Sequence, residues 1–209
     1  MVIPGVDFKP AAYVNRKIVS FEESKVSIWD LGFLFGVSAL EVIGVREGKL
    51  FKLNEHVDRL YDTARCLFIE IPMSKEETKE AIKETCRANE HRAGTVAIWV
   101  TAGVGTPWWP SSKKPSVIIF PVPSGALYPA EAYQNGISAI TSNVIRPPPR
   151  SIDPQLKCSG SYVTSYLASM QAIDAGAQCA IMLDARGFVA EGPAENLFIV
   201  KNKKLITST

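Results

Sequence analysis

Four side chains in this sequence have types suited to covalent and ionic chemistry on one small molecule. Lys157 stands in IDPQLKCSGSY, between a proline-rich connector and a predicted helix. A lysine held in a partly desolvated loop can lose its proton near neutral pH, because burial disfavours the ammonium. The neutral amine can then join an aldehyde as a Schiff base. Glu191 stands in VAEGPAENLFIV, just after a predicted strand. A carboxylate beside a pyridine nitrogen keeps that nitrogen protonated, and the ring then draws electrons from a carbanion. Tyr162, five residues past Lys157, could reach a phenolic oxygen of the same ring. Arg59, in EHVDRLYDTA, carries the planar fork that suits a phosphate. Taken singly, each also has an ordinary explanation: a solvated loop lysine, a turn glutamate, a core aromatic and a helix-surface arginine.

The elements that must hold these groups alternate between strand and helix. Tyr13 to Ser20 and Lys25 to Trp29 read as short strands, and Leu40–Arg46 with Lys49–Lys52 as a hairpin turning at Glu47-Gly48. Leu53, Val57, Leu60, Tyr61, Ala64, Leu67 and Phe68 recur at three- and four-residue steps, which predicts the helix carrying Arg59; Pro72 limits it. Ser74 and Glu77 form a capping box for a second helix reaching about Arg92. Thr95–Thr101 and Ser116–Val122 read as buried strands, Pro107–Pro115 as a loop, and Pro121 to Gly125 as a domain linker. Beyond it come a strand over Gly136–Ile145, the stiff connector Arg146–Arg150, and a helix from Ser161 to Ala175 ended by Gly176. Cys179–Leu183 pairs with Val189 across a turn, and Leu197–Val200 with Lys204–Thr207 across another. The pattern predicts a mixed α/β protein with two domains, 1–123 and 124–209.

Composition removes several function classes. The chain has 209 residues, 46% hydrophobic and 21% charged, enough for a sizeable core and too apolar for disorder. With 23 basic and 21 acidic residues, it has no global pull toward nucleic acid or an anionic membrane. No apolar run approaches the roughly 20 residues of a membrane span, and MVIPGVDFKP does not read as a signal peptide. Cys66, Cys86, Cys158 and Cys179 form no CxxC pair, which points to reduced thiols in the cytoplasm. His56 and His91 are the only histidines and neither has a metal-ligand partner at helical spacing, so no metal site is expected. Gly103-Val-Gly105 is too short for a dinucleotide-binding loop.

Four ordered segments, VSIWDLGFLFG, LFKLNEHVDRLYDTA, IDPQLKCSGSYVTSYLA and LDARGFVAEGPAENLFIV, resemble the fold-type IV enzymes of pyridoxal 5′-phosphate (PLP), most closely the branched-chain aminotransferase group. The resemblance implies an α+β fold with a small N-terminal domain carrying the phosphate arginine and a larger C-terminal domain carrying the lysine. It implies that Lys157 holds PLP as a Schiff base and moves the substrate's proton. Tyr162 would bond the phenolate oxygen, Glu191 the pyridine nitrogen and Arg59 the phosphate. Arg146 would support the pocket, and Asn196 would order the turn presenting Glu191. The partners implied are an amino donor and a 2-keto acid acceptor, acting on a homodimer.

The sequence departs from that family in two places. Where the group reads GDGVFEGIR, this chain reads Gly36-Val-Ser-Ala-Leu-Glu-Val-Ile-Gly44, and its Tyr-x-Arg strand resembles Trp99-Val-Thr101. Phe35, Leu40, Trp99 and Thr101 then line a substrate pocket poorer in cations, with Trp108 and Trp109 as further aromatic candidates. Branched-chain amino acids, D-amino acids and (R)-amines all remain open as substrates. The sequence also stops at LITST, where relatives continue into a helix whose N-terminal amides bind the phosphate. The C-terminal domain is therefore expected to be incomplete. Two alternatives stand beside transamination: a PLP lyase such as one acting on aminodeoxychorismate, and a truncated, non-catalytic, dimerising relative.

Overall fold

Alternating β-branched and apolar residues build the longest strands, because branched side chains pack well on a pleated, half-buried surface. The computed structural model describes residues 10–106, 114–122 and 128–208. In it β3 (Ser38–Arg46) and β5 (Ala93–Thr101) pair antiparallel along their whole length, from Ser38 opposite Thr101 to Arg46 opposite Ala93. β6 (Val117–Val122) pairs with the other edge of β5, followed by β1 (Ala12–Val14) and β2 (Lys17–Val19). The short β4 (Lys49–Leu50) closes the opposite end. All pairings in this six-stranded sheet are antiparallel.

Two helices, α2 (Leu53–Cys66) and α3 (Lys75–Ala88), pack on the sheet. Ala39, Ile43 and Val45 alternate along β3, as do Val96, Ile98 and Val100 along β5. They meet Val57, Leu60 and Ala64, which the helical period aligns on one stripe of α2, and Ala81 and Ile82 of α3. α3 opens with the expected capping box: Ser74 Oγ accepts from Glu77 N at 3.2 Å, and Glu77 returns the bond to Ser74 N at 2.7 Å. Those bonds hold the Glu77 carboxyl below the usual carboxylate range. Antiparallel strands with helices segregated on them make this an α+β arrangement.

The described residues group into two compact units, one running through β6 and taking in Lys157–Gly160, the other holding residues 128–156 and 161–208. In the second unit β7 (Ala139–Thr141) runs parallel to β8 (Cys179–Leu183), and β9 (Val189–Glu191) antiparallel to it. α5 (Tyr162–Asp174) packs on β8 through Ala168, Ala172, Ala180 and Met182. A short α4 (Ala132–Asn135) precedes β7, and β10 (Phe198–Lys201) and β11 (Lys204–Thr207) form the expected hairpin.

Several elements differ from expectation. The single strand over Tyr13–Ser20 is a hairpin, because Asn15 (φ 49°) and Arg16 (φ 73°) turn the chain back. Lys25–Trp29 forms no strand; it leads into α1 (Leu31–Phe35), capped by Asp30. The helix expected to reach Arg92 ends at Ala88, where the Asn89 side chain bonds Thr85 O and Ala11 O. Phe68 leaves the apolar stripe of α2: its φ of 57° turns it outward, 97% exposed. The strand over Gly136–Ile145 shrinks to β7. Residues 107–113, with Trp108 and Trp109, and most of the linker lie outside the described residues.

Candidate active site

The backbone around Lys157 is built into the first unit's sheet. β4 covers only Val45 and Arg46 of β3. Nearer the start of β3, Cys158 forms an antiparallel bridge with Ala39, and Leu40 N donates to Lys157 O at 3.0 Å. Lys157 N donates to Thr63 Oγ1 of α2 at 3.4 Å. Two residues on, Ser159 Oγ lies 2.6 Å from Ser38 Oγ and accepts from Trp99 Nε1 at 2.9 Å. Gly160 N donates to Gly36 O at 3.0 Å. A Cβ at Gly36, whose φ is 68°, would come within 3.0 Å of the Gly160 backbone, so the approach requires glycine. α1 sets Gly36 in place, and α1 is anchored by the fully buried Asp30. That carboxyl accepts from Gly32 N (2.7 Å), Thr101 Oγ1 (2.8 Å) and Ser116 Oγ (3.1 Å).

Arg59 sits on the second turn of α2 with a partner on β3. Its Nε donates to Glu41 Oε1, and its Nη2 to Glu41 Oε2 at 2.8 Å. His56 Nδ1 lies 2.8 Å from Glu41 Oε2. The Glu41 side chain is fully buried while that of Arg59 is 52% exposed. Glu41 interrupts the apolar row Ala39–Ile43–Val45 on β3, and one helical turn between His56 and Arg59 brings both over it.

The second unit holds the predicted carboxylate. Glu191, at the end of β9, pairs with Arg146 at 2.6 Å between Oε1 and Nε. Arg146 Nη1 donates to Ser165 Oγ of α5 at 3.3 Å, and its backbone N donates to Leu183 O at 2.9 Å. Tyr162 opens α5 and is partly exposed. The turn after Glu191 is held by Glu195. Its Oε1 accepts from Tyr128 at 2.7 Å, its Oε2 from Ala194 N at 2.9 Å, and its carbonyl from Gly192 N at 2.8 Å. A side chain at Gly192 would meet Glu195 Oε2 at 2.7 Å. Asn196 lies beside this turn. Burial pushes the Tyr128 hydroxyl well above the ordinary tyrosine value, with the Cys179 thiol and the Glu195 carboxylate adding to it.

The pocket candidates fall in the first unit. Leu40 and Trp99 are cross-strand partners, and Thr101 partners Ser38, all on the sheet face opposite the Ala39–Ile43–Val45 row. Leu40 is buried; Trp99 stacks on Phe120 with ring centroids 5.4 Å apart; Phe35 of α1 is exposed. Thr101 commits its hydroxyl to Asp30. Among the described residues no His, Cys, Asp and Glu group could hold a metal ion, and no helix is long and apolar enough to cross a membrane. Sequence reasoning passed over Glu41, Ser159, Glu195 and Tyr128. Of these, only Glu41 left a signal: a lone carboxylate in an apolar strand, followed by His-x-x-Arg on the next helix.

Comparison with known proteins gives the family. The family model described as amino-transferase class IV matches residues 38–209. A putative branched-chain-amino-acid aminotransferase of Methanocaldococcus jannaschii is 41% identical over 197 residues, covering 93% of this chain and 67% of that protein. The branched-chain-amino-acid aminotransferase of Escherichia coli K12 is 32% identical, over 95% and 67%. The chain thus spans about two thirds of the length of these relatives. Among solved structures, the E. coli branched-chain enzyme superposes with a TM-score of 0.90 at 31% identity, covering 96% of this chain and 68% of that one. A second branched-chain amino acid aminotransferase, solved with pyridoxamine 5′-phosphate, gives 0.88 at 35%, over 96% and 68%. The chain belongs to amino-transferase class IV, as a fold-type IV enzyme of PLP-dependent transamination.

Proposed function

We propose that this enzyme transfers the amino group of a branched-chain L-amino acid to a 2-keto acid, as a cytoplasmic homodimer. The relatives whose names carry branched-chain activity support the substrate class. The partly buried Trp99 supports it too, since a hydrophobic side chain is selected by apolar lining. The donor set fits PLP in kind: an amine for the aldehyde, a carboxylate for the pyridine nitrogen, a guanidinium for the phosphate and a hydroxyl for the phenolic oxygen. When bound, PLP supplies an aldehyde that captures amines and a ring that draws electrons from the substrate's α-carbon.

The observation that carries the assignment is the bonding around Lys157. Its carbonyl and amide are both hydrogen-bonded into the first unit, to β3 and to α2. A base must hold its reacting atom in place to work, and a pinned backbone limits the search to the side chain. Lys157 Nζ would take the proton from the substrate's α-carbon and return it. Glu191, fixed by Arg146, would accept from the pyridine N–H. Arg59 would bind the phosphate, and Tyr162 the phenolic oxygen. Phe35 and Trp99 would line the substrate side, while Leu40 and Thr101 are buried; Asn196 lies beside the turn that carries Glu191.

A donor screen tests the reading. L-leucine, L-isoleucine and L-valine, their D-enantiomers and both enantiomers of a simple aryl amine are offered with 2-oxoglutarate or pyruvate. Turnover of the L-branched donors is expected. Turnover confined to D-amino acids or (R)-amines, or pyruvate released from aminodeoxychorismate without an acceptor, would replace it.

A further inference from the structure

Glu41 is a carboxylate that the reaction itself does not use, yet its side chain is fully buried beside a proposed cofactor ligand. It has no exposed surface, and it lies on a strand otherwise packed through Ala39, Ile43 and Val45. A carboxylate is retained in such a place only when its partners offset its desolvation. Two neighbours do so here. Arg59 meets both oxygens through Nε and Nη2, and His56 Nδ1 meets Oε2 from one turn earlier on α2. A bidentate carboxylate fixes the plane of a guanidinium as well as its position. Arg59 is therefore gripped on its buried edge, while half of its side-chain surface faces outward.

We propose that Glu41 is the positioning residue that aims Arg59 at the cofactor phosphate, with His56 bracing the carboxylate. The proposal rests on the reading of Arg59 as the phosphate ligand. Charge and orientation make opposite predictions for Glu41→Gln. If Arg59 acts only as a point charge, removing a neighbouring negative charge strengthens the attraction for phosphate. If the guanidinium must be held in plane, losing the bidentate anion weakens it. The proposal commits to the second outcome, since a neutral amide holds the guanidinium with bonds about half as strong.

The test compares PLP with pyridoxal, which lacks the phosphate, in binding to the cofactor-free protein followed by absorbance. Glu41→Gln is expected to weaken PLP about tenfold, the equivalent of one lost charge-assisted bond, and to leave pyridoxal affinity within about twofold. A merely structural loss would weaken both alike, and that result overturns the proposal, as does unchanged or tighter PLP binding. Glu41→Asp, which keeps the charge but draws the carboxylate back by one methylene, serves if the glutamine variant does not fold; the same selective loss of PLP is expected from it. Arg59→Ala separates the two levels of the argument. If it weakens PLP selectively while neither Glu41 variant does, Arg59 keeps its role and Glu41 loses the one proposed. If it weakens PLP and pyridoxal equally, Arg59 is not the phosphate ligand and both readings fall.

Discussion

The two units each hold an arginine–glutamate pair, and the pairs are inverted. In the first, the glutamate is buried and the arginine half-exposed: Glu41 lies under the sheet's helical cover and Arg59 reaches outward from it. In the second, both partners are partly exposed, with Arg146 at 21% and Glu191 at 34%. In one the proposed working group is the arginine, with the carboxylate as its support; in the other it is the carboxylate, with the arginine as its support. A cation suits a phosphate and an anion suits a pyridine N–H, so the supporting partner proposed in each unit carries the opposite charge. The depth of the support differs as well. Glu41 sits in a well-packed apolar layer, where losing a charge partner is costly. The carboxylate of the second pair is nearer solvent, where water can replace a lost partner.

That contrast can be tested by experiment, beginning with the lysine proposed to hold the cofactor that both pairs would serve. Lys157→Ala should lower turnover about 10³-fold, within the range for a lost general acid–base. Its backbone bonds to Leu40 and Thr63 remain, so the variant should stay folded. A variant that instead loses turnover by unfolding would refute this. Glu41→Ala should cost about 3 kcal/mol in denaturant unfolding, the lower end for breaking a buried pair, since Arg59 itself stays half-hydrated. Arg146→Ala should cost about 1 kcal/mol or less by the same measurement. Equal losses from the two variants would mean that burial does not separate the pairs.

Two smaller effects sharpen the picture. Ser159→Ala removes the acceptor of the Trp99 indole and the partner of Ser38, leaving a half-buried N–H unpaired. About 1 kcal/mol of stability should be lost, and the Leu40 amide should exchange faster with solvent. An unchanged Leu40 amide would separate this contact from the lysine segment. In the second unit, folding keeps the Tyr128 hydroxyl protonated beyond its ordinary value of 10.0. The unfolded chain therefore ionises first as pH rises, so stability should fall above about pH 10. Tyr128→Phe should flatten that slope, while a slope unaltered by the variant would place the alkaline transition elsewhere.

What could be read from residues alone follows from local periodicity and local chemistry. α2, α3 and α5, the capping box at Ser74 and the β10–β11 hairpin are written in spacings of two, three and four residues, which depend only on neighbours in the chain. Lys157, Arg59, Tyr162 and Glu191 stood out because their types match one cofactor's needs in a recurring order. Where prediction missed, a short-range rule met a special backbone: two successive left-handed residues folded Tyr13–Ser20 into a hairpin, and one turned Phe68 outward.

The supports of the site were decided only by tertiary structure. Glu41 lies fifteen residues from His56 and eighteen from Arg59, and Ser159 is sixty residues from Trp99. Tyr128 and Glu195 are sixty-seven apart. A side chain's own type says that it needs a partner, but hydrogen bonds and ion pairs reach only about 3 Å. Which distant residue comes that close is set by strand register and helix packing, and those depend on the whole chain at once.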